Sequence, residues 1–503
     1  MRDLAVDNAV SVFLDQPLAQ GLGPRPALLT PGGACTYGEL AGLAGRAGAA
    51  LRRLGVETEQ RVALLMPDGI GFAATFFGAL RLGAVAVPLN TRLPEKDLRF
   101  ILDDCRAKIV VADPVLAPVL GGQAGGRRVV SFDELVGAVP SGSSVAAEPV
   151  GGDAMAFWLY TSGTTGSPKA AMHCHRNLIA CHLYADGVLG VTAEDRVFST
   201  SKLFFAYALG NALAIPLYAG GSTYLHPAWA EPAMVHAVLE SYRPTLFFSV
   251  PTVYARLLQA DLPADAFRSV RQCVSAGERL PAEIYHAWRE RFGVEILDAV
   301  GATETIFMFV SNRPGLSRAG CSGTPSPGVE IRLLDTQGQP VPDGSQGVLW
   351  VKTPSAATGY WKRLDHTRRT FVGEWFRTGD VYVRDADGFY THCGREDDFF
   401  KVAGQWVFPA QVEAAMLKHP GVLEAGVVGA EDAGGLIKTF AFVVPRDGGA
   451  DTDRLAAELR RLAESSLPSH QRPREIRFVR ELPRTATGKL QRFRLKGDVE
   501  TRP

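Results

Sequence analysis

Residues 160–169 read Tyr-Thr-Ser-Gly-Thr-Thr-Gly-Ser-Pro-Lys. Five hydroxyl side chains (Thr161, Ser162, Thr164, Thr165, Ser167) and two glycines (Gly163, Gly166) crowd into one turn that closes on Lys169. The apolar run from Ala156 to Leu159 just before it reads as a short buried strand. Glycine lets the backbone approach a ligand closely and adopt positive φ. Hydroxyls and open N–H groups then face phosphate oxygens, and the lysine adds a point charge. A plain Ser/Thr/Gly surface turn is the alternative, and the density of these residues ahead of Pro-Lys argues against it. The stretch is expected to hold a nucleotide phosphate. It is not a Walker loop, which needs Gly-Lys-Ser/Thr opening a helix with the hydroxyl on magnesium. Lys169 lies between Pro168 and Ala170, so the metal ligand must come from elsewhere. That disfavours a motor or GTPase-type switch.

At 503 residues the chain is too long for one core, and two or more domains are expected. Hydrophobic residues at 46% and charged residues at 21% are ordinary for a globular protein. Fifty-three basic against 53 acidic residues give a net charge of zero, which argues against nucleic-acid or anionic-membrane partners. Met1-Arg2-Asp3-Leu4 carries acid early and no long apolar run, so no signal peptide is expected. The uncharged stretch from Leu203 to Pro227 is broken by Asn211, Pro216 and a glycine pair. It reads as a buried pocket wall rather than a membrane span.

Seven cysteines, at 35, 105, 174, 181, 273, 321 and 393, include no Cys-x-x-Cys. Reduced thiols and a cytoplasmic location are expected. His173 and His175 flank Cys174, but no further ligands of matching spacing follow, so no zinc site is expected. Only 11 of the 53 basic residues are lysine. Two Gly-rich basic motifs nevertheless end in lysine, at Lys169 and Lys489, where a compact ammonium on a flexible stem differs from a planar guanidinium.

Residues 40–111 alternate helical patterns with short Val/Leu/Ala strands, as in a doubly wound sheet. Gly121 to Gly152 is rich in Gly, Ser and Pro and is expected to loop out. A second α/β pattern runs from Asp195 to about Val300, with strands expected at Leu246 to Val250 and Cys273 to Ser275. From Gly320 to Tyr390 short strands punctuated by Gly and Pro suggest a small β-rich subdomain. The tail from Asp398 alternates segments such as Ala425 to Val428 and Phe440 to Val444 with amphipathic helices.

Four further motifs follow in order. They are Gly301-Ala302-Thr303-Glu304; Trp375-Phe376-Arg377-Thr378-Gly379-Asp380; Gly394-Arg395-Glu396-Asp397, followed by Lys401 and Gly404; and Pro-Arg-Thr-Ala-Thr-Gly-Lys from Pro483 to Lys489. With the loop ending at Lys169 they span about 330 residues. The set resembles the signatures of the adenylate-forming (ANL) superfamily: acyl- and aryl-CoA ligases, peptide-synthetase adenylation domains and beetle luciferases. The resemblance implies an α/β fold. A large N-terminal domain (1–396) would hold two doubly wound α/β subdomains plus a small β-rich subdomain. A small, mobile α+β C-terminal domain (397–503) would hinge at Asp397.

It also implies ATP, Mg2+ and CoA as co-substrates and cofactor. Lys169 and the Thr161–Thr165 hydroxyls would hold the β- and γ-phosphates, with Gly163 and Gly166 shaping the turn. Glu304 would be the magnesium ligand and Thr303 the donor to the α-phosphate. Asp380 would accept from both ribose hydroxyls, with Arg395 nearby. Asp298 and Val300 would line the nucleotide site, Val300 standing where many relatives carry an aromatic residue against adenine. Lys489 would reach the carboxylate oxygen and α-phosphate during adenylation, charge stabilisation worth roughly a few kcal/mol. The small domain would then reorient about Asp397 for the second half-reaction.

Amino-acid-activating relatives carry a pocket aspartate, and the segment Lys202-Leu203-Phe204-Phe205-Ala206-Tyr207 offers no acid. A buried unpaired ammonium is costly, which disfavours an α-amino acid. Phe204, Phe205, Ala206 and Tyr207, with Val250, Ala276, Gly277, Gly301, Ala302, Ile306 and Phe307, suggest a flat apolar slot for a benzoic acid. The segments 202–211, 301–304, 309–312, 394–398 and 467–470 resemble the benzoate- and anthranilate-CoA ligase subgroup, whose members often carry histidine where this chain has Phe307. Benzoate, 2-aminobenzoate and a hydroxybenzoate stay open, with 2-aminobenzoate or benzoate favoured and 2-aminobenzoate slightly ahead. For CoA, Arg81 is expected to contact the nucleotide end, Arg477 and Arg480 less so, and Gly404 and Trp406 to flank the pantetheine channel. The alternatives are an adenylating enzyme that loads an aryl acid onto a carrier protein, and a non-catalytic nucleotide-binding protein. The joint presence of Lys169, Glu304, Asp380 and Lys489 disfavours the second.

Overall fold

The computed structural model describes residues 7–121, 125–161, 168–432, 434–446, 452–484 and 490–500. The chain divides into two compact units, residues 1–331 with 350–377, and residues 332–349 with 378–503. The division cuts the strand Trp375–Arg384, so the β-rich segment shares residues with both units. The expected hinge at Asp397 is a separate matter, because it concerns rotation rather than compactness.

The first unit contains two large sheets. One has the order Gly359–Tyr360, Lys169–Cys174, Met155–Thr161, Val85–Pro88, Arg61–Leu65, Ile109–Ala112, Arg128–Val130. Its centre is parallel, and the helices Tyr37–Arg53, Ile70–Arg81 and Glu95–Cys105 alternate with its strands. Thr36 caps the first of these: its hydroxyl accepts from the Glu39 N–H and the Glu39 carboxylate accepts from the Thr36 N–H. That helix meets Ile70–Arg81 at glycines. A Cβ on Gly78 would stand 2.8 Å from the Ala47 Cβ and 2.9 Å from the Ala44 carbonyl, so only glycine permits this approach. The Gly/Ser/Pro-rich segment 121–152 is not wholly loop. Arg128–Val130 joins the sheet and Phe132–Gly137 forms a helix capped by the Ser131–Glu134 pair, a local signal that outweighs the composition.

The second sheet runs Thr324–Pro325, Met308–Ser311, Ile296–Gly301, Gln272–Ser275, Leu246–Ser249, Arg196–Ser199, Ser222–Tyr224, Pro26–Thr30, Gly33–Thr36. Its five strands from Arg196 to Gly301 are parallel. The strands expected at 246–250 and 273–275 are present to within a residue. Residues 206–219 form one buried helical run, with a π-helical stretch at Leu209–Ala214. Among the described residues no helix is long and apolar enough to cross a membrane. Among the described residues no disulfide joins any of the seven cysteines, and five of them are buried.

In the second unit, Asp380–Arg384 pairs with Tyr390–Arg395. Beyond them a three-stranded sheet, Val422–Glu431, Ile437–Pro445 and Glu475–Phe478, carries the helices Pro409–Leu417 and Thr452–Ser466 on its core.

Candidate active site

Met155–Thr161 and Lys169–Cys174 are the two arms of a hairpin, with Thr161 directly opposite Lys169. The expected phosphate loop is the connection between them. Ser162, Gly163, Thr164, Thr165, Gly166 and Ser167 lie outside the described residues. What the structure does place is the ring of groups around the loop's end. The Lys169 ammonium stands 4.0 Å from the centroid of the Tyr360 ring, a cation–π contact. The Tyr360 hydroxyl donates to Glu304 Oε1 at 2.5 Å, and the Ala357 N–H donates to the Glu304 carbonyl at 2.7 Å. On the other side, His173 Nε2 is 2.8 Å from the Thr303 carbonyl. A carbonyl only accepts, so that nitrogen carries the proton. Burial pushes the His173 pKa down to about 4, which keeps the ring neutral and stacked 4.8 Å from Phe157. His173 is thus a support for the Thr303–Glu304 turn, and His175 is likewise buried with a pKa lowered to about 4 by desolvation.

The parallel strands of the second sheet deliver the remaining first-unit groups at their carboxyl ends, the usual location of a ligand crevice in an open α/β sheet. The Tyr207 hydroxyl lies 3.1 Å from the Ser249 carbonyl and 3.0 Å from that of Val274. Its single proton is therefore committed to the ends of two adjacent strands. Gly277, at φ +90, has Val250 beside it, and Phe204 meets Phe205 edge to face at 4.6 Å. A Cβ on Gly301 would fall 2.8 Å from the Phe307 carbonyl, so glycine lets the two segments close up. Ile306 takes φ +55, rare for a β-branched residue and a form of strain that clusters at functional sites. Ile306 and Phe307 are almost wholly buried, whereas Ala302 and Val300 are half-buried. Asp298 is buried in register with Ser275. Burial raises its pKa well above the usual carboxylate value, opposed by the Arg279 charge and the Leu280 and Ala299 N–H groups. Its Oδ1 has no hydrogen-bond partner among the described residues.

In the second unit, Asp380 lies directly opposite Arg395. Arg395 donates to Asp380 Oδ1 at 3.1 Å and to the Thr378 carbonyl at 3.0 Å. Gly379 turns between them at φ +73. Asp397 sits in the single turn Glu396–Asp398, whose Asp398 pairs with Arg492 at 3.2 Å. Gly404, at φ +80, turns the hairpin that presents Trp406, a half-exposed ring with the Lys401 ammonium 4.7 Å from its centroid. Lys489 lies outside the described residues.

Arg81 requires a correction. It is 7% exposed at the end of its helix, and its guanidinium is ion-paired with Asp15. This is an interior structural role, with no accessible guanidinium left for a coenzyme phosphate. Three participants had escaped the sequence reading. Tyr360 and the support by His173 reach the site only through the fold. The third is a buried pair, Asp68 and Lys202, 4.0 Å apart.

A magnesium ion suits what is present. Magnesium is commonly bound through one or two carboxylates with substrate phosphates completing the shell, and Glu304 is a half-buried carboxylate bonded to Tyr360, whose ring faces Lys169. Among the described residues no cluster of three or more His, Cys, Asp or Glu forms an all-protein cage.

The sequence matches the AMP-binding enzyme family over residues 17–361 and the AMP-binding enzyme C-terminal domain over residues 411–489. It is 42% identical to the 4-hydroxybenzoate–CoA/benzoate–CoA ligase of Rhodopseudomonas palustris, over 97% of this chain and 94% of that protein. The crystal structure of a benzoate CoA ligase from Burkholderia xenovorans LB400 aligns with a TM-score of 0.90 at 41% identity, covering 97% of this chain and 99% of that one. The anthranilate CoA ligase AuaEII in complex with anthranoyl-AMP aligns with a TM-score of 0.90 at 36% identity, covering 98% and 97%. The chain therefore belongs to the AMP-binding enzymes of the adenylate-forming (ANL) superfamily, as one of its AMP-forming acid–CoA ligases.

Proposed function

We propose that the protein is an ATP-dependent aryl-CoA ligase whose acid is benzoate. The observation that carries this reading is the wall at residues 204–207. It is aromatic, contains no carboxylate, and its one hydroxyl is already committed to two backbone carbonyls. With Phe307 apolar and buried, an unsubstituted ring needs no polar partner from residues 204–207 or from Phe307. A second reading, 2-aminobenzoate, is supported by Asn211. This residue is fully buried one turn beyond Tyr207, and its Oδ1 has no partner among the described residues, so it could accept from a ring amine.

In the first half-reaction the carboxylate oxygen attacks the α-phosphorus of ATP, pyrophosphate leaves, and aryl-AMP forms. Lys169 and the loop hydroxyls steady the β- and γ-phosphates, Thr303 donates to the α-phosphate, and Asp380 with Arg395 holds the ribose. Such catalysis is mostly positioning and charge neutralisation. Glu304 would hold magnesium, which would neutralise phosphate charge. Lys489 steadies the reacting oxygens. In the second half-reaction the CoA sulfur attacks the acyl carbon, AMP leaves, and the small domain has reoriented about Asp397 with Gly404 and Trp406 beside the pantetheine arm.

The test is a mass-spectrometric competition with ATP, magnesium, CoA and equal concentrations of benzoate, 2-aminobenzoate, hydroxybenzoates and a medium-chain fatty acid. Dominant benzoyl-CoA supports the proposal. Dominant 2-aminobenzoyl-CoA selects the second reading, and aryl-AMP without thioester redirects the acceptor to a carrier protein. A fatty acyl-CoA product refutes the aryl assignment.

A further inference from the structure

The contacts of Tyr360 are unusual because they join the two oppositely charged groups of the phosphate site. Its ring face receives the Lys169 ammonium at 4.0 Å and its hydroxyl donates to Glu304 Oε1 at 2.5 Å. The residue is 4% exposed and held from several sides. Gly359–Tyr360 forms the edge strand beside Lys169–Cys174, with Tyr360 opposite Ala171. The Tyr360 N–H donates to Thr367 Oγ1 at 2.9 Å and the Trp361 N–H to the Ala170 carbonyl at 3.0 Å. The Trp361 indole N–H donates to the Asp104 carbonyl at 2.8 Å, and Phe371 packs edge-on against the Tyr360 ring at 5.5 Å. The same short segment grips Glu304 twice, through the Ala357 N–H and the Tyr360 hydroxyl.

A lysine and a glutamate within side-chain reach in a partly desolvated site attract each other strongly. Paired directly, each would be withdrawn from the phosphates and the metal it has to meet, and ATP would have to break the pair. A ring face and a phenol hydroxyl satisfy the two charges separately. We infer that Tyr360 is a positioning residue that keeps Lys169 and Glu304 from closing on each other in the empty enzyme, so that both stand ready for Mg–ATP. The inference rests on the assignment of Lys169 and Glu304 to that ligand.

The experiment is a calorimetric titration of Mg–ATP into the full chain without acid, comparing wild type, Tyr360→Phe and Tyr360→Leu. A Lys169→Met and Glu304→Gln double-mutant cycle on apo stability accompanies it in the wild-type and Tyr360→Leu backgrounds. Tyr360→Leu should weaken ATP binding roughly tenfold or more, the scale on which a cation–π contact gives way to a direct ion pair. Tyr360→Phe keeps the spacer and loses one hydrogen bond. It should change ATP affinity by no more than about fivefold while raising the magnesium concentration for half-saturation. Coupling between Lys169 and Glu304 should be near zero in wild type and favourable in Tyr360→Leu. ATP affinity unchanged in folded Tyr360→Leu, or no coupling there, overturns the spacer role. Should Tyr360→Leu fail to fold, Tyr360→Phe decides alone, and no rise in its magnesium requirement overturns the proposal. If Lys169→Met and Glu304→Gln leave Mg–ATP binding unchanged in the wild-type background, the site assignment itself falls and takes this inference with it.

Discussion

Replacing Lys202 by methionine tests whether a buried charge pair holds the aromatic segment 204–207 in place. Lys202 is 3% exposed and its ammonium donates to the His226 carbonyl at 2.7 Å and the Ala228 carbonyl at 2.5 Å. It lies 4.0 Å from Asp68 Oδ2, while Asp68 Oδ1 accepts from the Leu203 N–H at 2.9 Å. The pair thus ties the start of the 202–207 segment to the loop after Arg61–Leu65. Burial pushes the Asp68 carboxyl up to about 6, opposed by the Lys202 charge and the Leu203 N–H. Burial likewise lowers the Lys202 pKa.

Methionine fills similar volume but removes two hydrogen bonds, worth about 1 kcal/mol each. It also leaves a buried carboxylate without its cation, so the total should reach about 3–5 kcal/mol. The pH dependence follows from the sign of the Asp68 shift. Its folded pKa lies above the unfolded value, so its contribution to stability is complete in acid and is lost as pH rises through the folded pKa. In wild type that loss is finished just above pH 6. Without Lys202 the folded pKa moves higher, so the deficit relative to wild type widens as pH climbs beyond 6. Urea unfolding followed on the first unit should show a deficit of about 2 kcal/mol at pH 5, from the hydrogen bonds alone, and the larger value at pH 7.5. The double variant Asp68→Asn/Lys202→Met should lose the pH dependence. A deficit under about 1 kcal/mol, or one independent of pH, would refute the reasoning.

Lys489→Ala should slow aryl-AMP formation by about 10²–10³-fold while thioester formation from preformed aryl-AMP stays within a few-fold; single-turnover assays of each half-reaction decide, and equal losses count against domain alternation. Phe307→His should raise kcat/KM for hydroxybenzoates relative to benzoate by about tenfold, measured by direct competition. Gly301→Ala places a Cβ 2.8 Å from the Phe307 carbonyl, so it should cost about 1–3 kcal/mol in stability and raise KM for the acid more than KM for ATP. Arg81→Met leaves Asp15 without its partner: the melting temperature should fall while KM for CoA stays unchanged, the reverse of what a coenzyme-binding arginine would give.

The sequence by itself determined the superfamily and the order of the domains, and it nominated the candidate reacting groups that the proposed function uses. These rest on short contiguous patterns: the hydroxyl-rich turn before Lys169, Thr303-Glu304, Asp380 with Arg395, and the loop ending at Lys489. Local chemistry is enough to nominate them, because a phosphate-accepting turn would need its glycines and hydroxyls next to one another in the chain. The helix Phe132–Gly137 was missed, because composition argues for a loop there, although the Ser131–Glu134 cap is a local signal that marks it. Arg81 was misread for the complementary reason. An arginine's surroundings are not written beside it, and burial against Asp15, 66 positions away, turns a would-be ligand contact into a structural pair. Tyr360, His173 and the Asp68–Lys202 pair were beyond reach on the same ground. Tyr360 meets Glu304 across 56 positions and His173 meets Thr303 across 130, and Leu203 finds Asp68 across 135. Strand order alone brings such groups together: the edge strand Gly359–Tyr360 lies beside Lys169–Cys174 only because the sheet is assembled that way. The chain's local patterns nominate the groups for the chemistry, and tertiary packing decides which neighbours surround them and whether burial leaves them neutral or charged.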